Sequence, residues 1–230
     1  DIAPGLREIT VSGLEGFESP GFDAFVYVIV PQGDSALPDD FKMAALRAWK
    51  GPNRPAGAYY TIRRSRPDEL DLWFVLHGDD GPLSAWAARA APGDKLALWG
   101  PRIAFAPPSD TRKLLLVGDE TALPAIAAII EQAAASLPVT AVIEVADKSR
   151  EVDLPSRRAL DVTWVHRGAA APGSGRSLYD AVEQAELNGD GLYVFGAAES
   201  RRIGEVRRML KRDRGLTLEQ MHLTGYWRRR

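Results

Sequence analysis

The feature that most constrains this chain is a change of texture near residue 109. Behind Pro107-Pro108-Ser109-Asp110, the run Lys113–Val117 is apolar after its lysine, the mark of a strand buried on both faces. It leads through Gly118-Asp119-Glu120-Thr121 into a helical stretch, Ala122–Ser136, with Pro124 in the first turn, where a missing N–H does little harm. Strand-like Val139–Val145 and Val162–His166 follow, then a helix over Ser177–Glu186, strand-like Leu192–Phe195, a basic helix Ser200–Arg214 and a closing His222–Trp227. Strand alternating with helix predicts a doubly wound parallel α/β sheet.

Ahead of that point the texture differs. Phe25–Val30 is apolar or aromatic and rich in β-branched residues. Leu70, Leu72, Phe74 and Leu76 alternate with Asp71, Trp73 and Val75, and Leu96–Trp99 follows the turn Pro92-Gly93-Asp94. The loop region Pro31–Gly57 holds a short helix at Asp39–Trp49. Short strands with turn punctuation predict an antiparallel Greek-key barrel. The fold class is therefore β + α/β, with a barrel domain over 1–108 and a nucleotide-type domain over 109–230.

Composition narrows the chemistry. No apolar run approaches the roughly 18 residues of a membrane span, and Asp1–Thr10 lacks the plan of a secretory leader, so the expected location is cytoplasmic. Cysteine is absent, which removes disulfides, thiol nucleophiles and cysteine-ligated iron–sulfur clusters. His77, His166 and His222 are too scattered for a typical zinc site, and no metal is expected. Any redox chemistry must then come from a bound organic cofactor. The net charge of −2 hides ten basic and three acidic residues in Ser200–Arg230, a local +7 against −9 elsewhere. Aromatic residues are not interleaved with that patch; it reads as a solvated helix face and tail, and nucleic acid is not the expected partner.

Three segments carry chemistry. In Ala58-Tyr59-Tyr60-Thr61-Ile62-Arg63, an extended strand puts Tyr60 and Ile62 on one face and Thr61 and Arg63 on the other. A Tyr ring can cover an isoalloxazine, a Thr hydroxyl can reach its N5 region, and an Arg can pair with a diphosphate or an anionic acceptor. Alone, the segment reads first as an ordinary barrel strand, with Tyr and Thr present for β-propensity. In Val75-Leu76-His77-Gly78-Asp79-Asp80-Gly81-Pro82-Leu83-Ser84-Ala85-Trp86, a strand ends at His77 and a helix starts near Pro82. The exposed backbone N–H groups there, with Ser84 close by, make a seat for a diphosphate. Third, Leu116–Ile126 passes through Gly118, Asp119, Glu120 and Thr121 at the first strand of the α/β domain, where open parallel sheets bind nucleotides. It lacks the G-x-G-x-x-G spacing. Its two carboxylates either cap the helix or meet ribose hydroxyls or the nicotinamide amide.

Together these segments resemble the siderophore-interacting proteins, FAD-dependent ferric-siderophore reductases related to ferredoxin reductases. The resemblance runs from Arg7-Glu8-Ile9-Thr10-Val11 to the end. The R-x-Y-T-x-R strand is met by Tyr60, Thr61 and Arg63; H-G-x-x-G-P-x-x-x-W-A by His77, Gly78, Gly81, Pro82, Trp86 and Ala87. Gly100-Pro101-Arg102 follows, and the G-D-E-T-A-L-P-A run over 118–125 is unbroken. Ala197-Ala198-Glu199 and Gly225-Tyr226-Trp227-Arg228 stand where the family carries A-G-E and G-Y-W-R. Two positions depart. Ala58 replaces an arginine, a phosphate contact that Arg63 or Arg64 could restore. Ala198 replaces a glycine and could crowd the nicotinamide.

The resemblance implies FAD on the barrel, NADPH or NADH on the sheet, and a ferric siderophore as acceptor. Thr61 is then the residue beside the reacting flavin N5. The cofactor contacts fall on Tyr60, Thr61, Ile62, Arg63, Val75, His77, Gly78, Gly81, Pro82, Ser84, Trp86, Gly118, Asp119, Glu120, Thr121, Pro124, Glu199 and Trp227. Lys148 and Arg150, after the second strand of the α/β domain, suit a 2′-phosphate or simply a surface turn. Lys42, Lys50, Arg63, Arg64 and Arg228 are candidates for an anionic siderophore. A general flavin or ferredoxin-type reductase and a non-enzymatic siderophore carrier are the rival expectations.

Overall fold

The computed structural model describes residues 1–33, 36–38, 41–78, 81–155, 159–187 and 190–229. They form two compact units: Asp1–Pro20 with Ala24–Ile103, and Gly21–Asp23 with the chain from Ala104 onward.

The first unit contains β1 (Leu6–Ser12), β2 (Phe25–Val30), β3 (Ala56–Arg66), β4 (Glu69–Val75) and β5 (Ala97–Arg102), antiparallel throughout in the order β1-β4-β3-β2-β5. Strands β2, β3 and β4 follow one another, and β5 returns to lie beside β2, which is Greek-key connectivity. The long β3 serves two neighbours. Ala56–Thr61 pair with β2, whereas Ile62 and Arg64–Arg66 pair with β4. The register shifts between Ile62 and Arg64, so Arg63 sits on a bulge that bends the strand. Val26, Val28, Val30, Ile62, Leu70, Leu72 and Phe74 fill the interior. Each such side chain contributes roughly 1.5–3 kcal/mol by leaving water.

Two helices complete this unit. α1 (Met43–Ala48) occupies part of the expected Asp39–Trp49 stretch; Asp39 and Asp40 lie outside the described residues. α2 (Pro82–Arg89) is clamped to β1 by Arg7, whose guanidinium donates to the carbonyls of Ala87, Ala88 and Ala90. A cation on the last carbonyls of a helix is favourable there.

The second unit is the expected parallel sheet: β6 (Lys113–Asp119), β7 (Val139–Val145), β8 (Leu160–His166), β9 (Leu192–Glu199) and β10 (Met221–Trp227), in the order β10-β9-β6-β7-β8. The connecting helices are α3 (Leu123–Gln132), α4 (Ser177–Gln184) and α5 (Ser200–Arg214). Strand order reverses between β6 and β9, which makes their carboxyl ends the switch point of the sheet. Both strands continue past their apolar runs because glycine lets neighbours close in. A Cβ on Gly118 would lie 2.4 Å from Ala122 Cβ, and one on Gly196 would lie 2.5 Å from the Val117 carbonyl.

Phe22 and Asp23 belong to this second unit. One Asp23 oxygen accepts from the N–H groups of Ala104 (3.1 Å) and Phe105 (2.8 Å), and the Phe22 ring lies 5.1 Å from that of Phe105. Residues 104–108, which the sequence groups with the barrel, therefore pack with the sheet unit.

Candidate functional site

On the barrel, Thr61 and the bulged Arg63 are 5% and 4% exposed. The Arg63 guanidinium lies over the Trp73 indole, 5.2 Å from its centroid, and Trp73 Nε1 donates to Glu8 across 2.7 Å. Arg63 is thus a buried charge, distinct from the exposed Arg64, Lys42 and Lys50 named with it as acceptor contacts. Tyr60 and Ile62 share the inward face. The Tyr60 ring packs on Phe74 at 4.2 Å, and burial pushes its phenol well above the usual range. Trp86 also packs on Phe74, with ring centroids 5.9 Å apart.

The turn between β4 and α2 is built as a helix-starting loop, with β4 ending at Val75, two residues before His77. Gly78 takes a left-handed φ of 81°, and Gly81 caps α2 with no side-chain hydrogen bond, followed by Pro82 in the first turn. A Cβ on Gly81 would lie 2.5 Å from the exposed His77 ring, which would have to swing aside to admit it. Ser84, expected at the ligand, instead closes the loop. Its hydroxyl accepts from His77 N (2.9 Å) and donates to the Gly78 carbonyl (3.0 Å). Elsewhere in this unit, a cleft of about 710 Å³ opens along β1 and residues 90–98; of the expected cofactor contacts it touches Trp86 and not β3.

In the second unit the switch point gathers Asp119, Thr121, Glu199 and Trp227. One Asp119 oxygen accepts from Thr121 N (2.9 Å) and Thr121 Oγ1 (2.5 Å); the other accepts from Glu199 N (3.1 Å) and Trp227 Nε1 (2.8 Å). Burial raises the Asp119 pKa, and the Thr121 and Trp227 bonds hold it back. Glu199 caps α5 by accepting from Arg201 N (2.8 Å) and Arg202 N (3.0 Å). Glu120 accepts from Ala146 N at 3.1 Å and pairs with Arg167 at 3.2 Å. Of the two carboxylates read as caps or ligand contacts, Asp119 caps the turn into α3, whereas Glu120 caps no helix and reaches Ala146 and Arg167 instead. Pro124 is buried in the first turn of α3, as expected.

Lys148 and Arg150 stand on a 3-10 turn after β7, started by Asp147, whose carboxylate accepts from Ser149 N and Oγ. Those bonds hold Asp147 below the usual carboxylate range. Arg228 is exposed beyond β10. Ala198 does not crowd the switch point: it is 1% exposed and its methyl packs in the core with Ile203 and Val206.

Two participants, Glu144 and Gly173, were missed in the sequence, and Gly225 was read there only as part of a motif. Glu144 is buried at the end of β7 and accepts from Ser177 Oγ at the start of α4; a carboxylate inside Val142-Ile143-Glu144-Val145 was the available signal. A Cβ on Gly173 would lie 2.8 Å from Glu199 Cγ and 3.1 Å from the Trp227 ring. A Cβ on Gly225 would lie 2.3 Å from Ser200 Oγ, which donates to the Trp227 carbonyl across 2.7 Å.

Comparison with known proteins agrees with this architecture. A siderophore utilization protein from T. fusca is 34% identical, with a TM-score of 0.86 over 99% of this chain and 88% of that one. The NADPH-dependent ferric-chelate reductase of Escherichia coli K12 is 27% identical over 233 residues, 98% of this chain and 88% of the relative. A ferredoxin NADP+ reductase from Neisseria gonorrhoeae, 16% identical with a TM-score of 0.67 over 98% of this chain and 94% of that one, shares the fold. The siderophore-interacting FAD-binding domain matches residues 1–105, and the siderophore-interacting protein domain matches residues 111–230. Matched along both of its halves, the chain belongs to the siderophore-interacting protein family, whose flavin domain it carries.

Proposed function

We propose that the chain takes electrons from NADPH through FAD and delivers them to a ferric siderophore, releasing Fe(II) in the cytoplasm, where NADPH is maintained. One observation carries the reading: a barrel matched to an FAD-binding domain precedes a parallel sheet whose switch point is shaped by the unbroken Gly118–Ala125 run. Siderophores grip Fe(III) through hard oxygen donors and hold Fe(II) weakly, so one electron frees the metal. When bound, FAD supplies the conversion of a hydride into single electrons.

The residues fit that group. Among the described residues no side chain caps the first turn of α2, which begins after Gly81, leaving its first N–H groups at the positive end of the helix as a donor set suited to a diphosphate. We assign Gly78, Gly81 and Pro82 to the diphosphate, with His77 bordering it. Tyr60, Thr61, Ile62 and Val75 are assigned to the isoalloxazine, Thr61 nearest the reacting edge. Buried Arg63 supplies fixed positive charge behind them, and Trp86 supports Tyr60 through Phe74. In the second unit, Gly118–Thr121, Pro124, Glu199 and Trp227 are assigned to the nicotinamide half, and Lys148 and Arg150 to the 2′-phosphate. Asp119, Glu120, Glu144 and Glu199 are turned onto protein donors, which blunts their repulsion of a nucleotide. Exposed Lys42, Lys50, Arg64 and Arg228 would attract an anionic chelate. Reducing Fe(III) needs no proton, so no side chain is assigned as general base.

NADPH oxidation measured in parallel with a ferric catecholate, a ferric hydroxamate and a ferredoxin tests the acceptor. The reading expects turnover with a chelate and none with ferredoxin. Protein that binds ferric siderophore yet stays colourless with added FAD would make it a carrier instead.

A further inference from the structure

The chain leaving β7 is tied down on both sides of Lys148 and Arg150. On the near side Glu120 makes a bridge. One of its carboxylate oxygens accepts from Ala146 N at 3.1 Å, and the other accepts from the Arg167 guanidinium at 3.2 Å. The side chains of Arg167 and Glu120 are only 11% and 14% exposed, so salt and water screen the pair little. Backbone bonds run beside it: Arg167 N donates to the Val145 carbonyl and Gly168 N to that of Ala146, which carries the β7–β8 pairing past the strand ends.

On the far side Glu151 ends the 3-10 turn, and its carboxylate accepts from His166 Nε2 across 2.8 Å. His166 is the last residue of β8 and the register partner of Val145, so this contact ties the turn back to the sheet. Between the two anchors Asp147 fixes the turn through Ser149. Residues 146–151 are thus held at Ala146, Asp147 and Glu151, and the two cations stand between the holds. Ordering a loose turn when a ligand binds costs conformational entropy, and a turn already fixed is spared that cost.

We propose that Arg167, His166 and Glu151 are positioning residues for NADPH. Glu120–Arg167 on one side and Glu151–His166 on the other form a two-point clamp that presents Lys148 and Arg150 to the 2′-phosphate. The inference rests on the assignment of those two cations in the reading above and adds the residues that hold them in place. NADH carries no 2′-phosphate and gains nothing from the clamp. Charge alone argues the other way for Glu151, since an acid beside a phosphate repels it. The clamp therefore predicts an effect of opposite sign to the electrostatic one.

The test uses FAD-loaded protein with NADPH and NADH as alternative donors and ferricyanide as acceptor, which makes it independent of any siderophore. Glu151→Leu and His166→Phe should each raise KM for NADPH about fivefold and leave kcat and KM for NADH within about twofold. Combined, they should do no more than either alone, because they share one bond. Glu151→Gln still accepts from His166 and should stay within about twofold of wild type. Arg167→Met should act like Glu151→Leu and Arg167→Lys should recover most of the loss, with the thermal midpoint checking that each variant folds. In a Lys148→Ala, Arg150→Ala background every one of these changes should leave KM for NADPH within about twofold. An unchanged or lowered KM for NADPH in Glu151→Leu, equal shifts for the two nucleotides, or shifts that persist in that background would overturn the clamp. A Lys148→Ala, Arg150→Ala variant with the wild-type KM for NADPH would overturn the 2′-phosphate assignment itself.

Discussion

Trp227 Nε1 donates to the Asp119 carboxylate across 2.8 Å, joining positions 108 residues apart. The same carboxylate oxygen accepts from Glu199 N, so the ends of β6, β9 and β10 meet on one buried acid. Trp227→Phe keeps an aromatic ring, though a smaller one, and removes the donor. It should cost about 1–3 kcal/mol, because a buried acceptor loses a partner. The midpoint of urea unfolding should fall with an unchanged slope; an unchanged midpoint would mean the bond contributes nothing.

Ala198 is where the family pattern has glycine, and its methyl lies in the core. Ala198→Gly should therefore destabilise by about 1 kcal/mol, from the lost methyl and the freer unfolded chain, and should not lower KM for NADPH. A lower KM with no loss of stability would place the methyl in the ligand's path.

Arg66 grips Asp71 with two bonds, at 2.6 and 2.8 Å, and Thr10 donates to the same acid. The Arg66 bonds, ahead of the opposing effect of burial, hold the Asp71 carboxyl below its ordinary value. Its folded pKa thus lies below its unfolded one. The stabilisation is complete above the unfolded value and lost as pH falls through the folded one. Arg66→Met should move the acid-unfolding midpoint to higher pH and narrow its gap from neutral stability; coincident acid transitions would contradict this.

Lys148 and Arg150 flank the 3-10 turn after β7. If they hold a 2′-phosphate, the Lys148→Glu, Arg150→Glu double variant should raise KM for NADPH by about tenfold or more and barely move that for NADH. Parallel steady-state titrations with the two nucleotides decide it, and equal shifts would reduce the pair to a surface turn.

Much of the frame could be read from residue pattern. Lys113–Val117 declares a doubly buried strand, and Ser200–Arg214 is helical over its predicted length. Pairing made the rest illegible. The strand pattern of Ala58–Arg63 hides a bulge that only the register against β4 creates, and that bulge takes Arg63 off the simple alternation. Ser84 looked like a phosphate contact because nothing local shows that its hydroxyl closes onto His77 and Gly78. Asp23 lies among barrel residues in sequence, yet its bonds to Ala104 and Phe105 fix it to the other unit. Glycines 118 and 225 were visible as letters, but their reason is steric: Ala122 and Ser200 stand where a Cβ would go.

The central claim is electron passage from NADPH through a flavin to chelated iron. The protein, loaded with FAD under anaerobic conditions, should lose its visible flavin band on adding NADPH. The band should return when a ferric siderophore follows, with Fe(II) captured by a ferrous-specific chelator in step. Flavin that bleaches but passes nothing to the ferric siderophore, or protein that leaves added FAD unbound, would contradict the account.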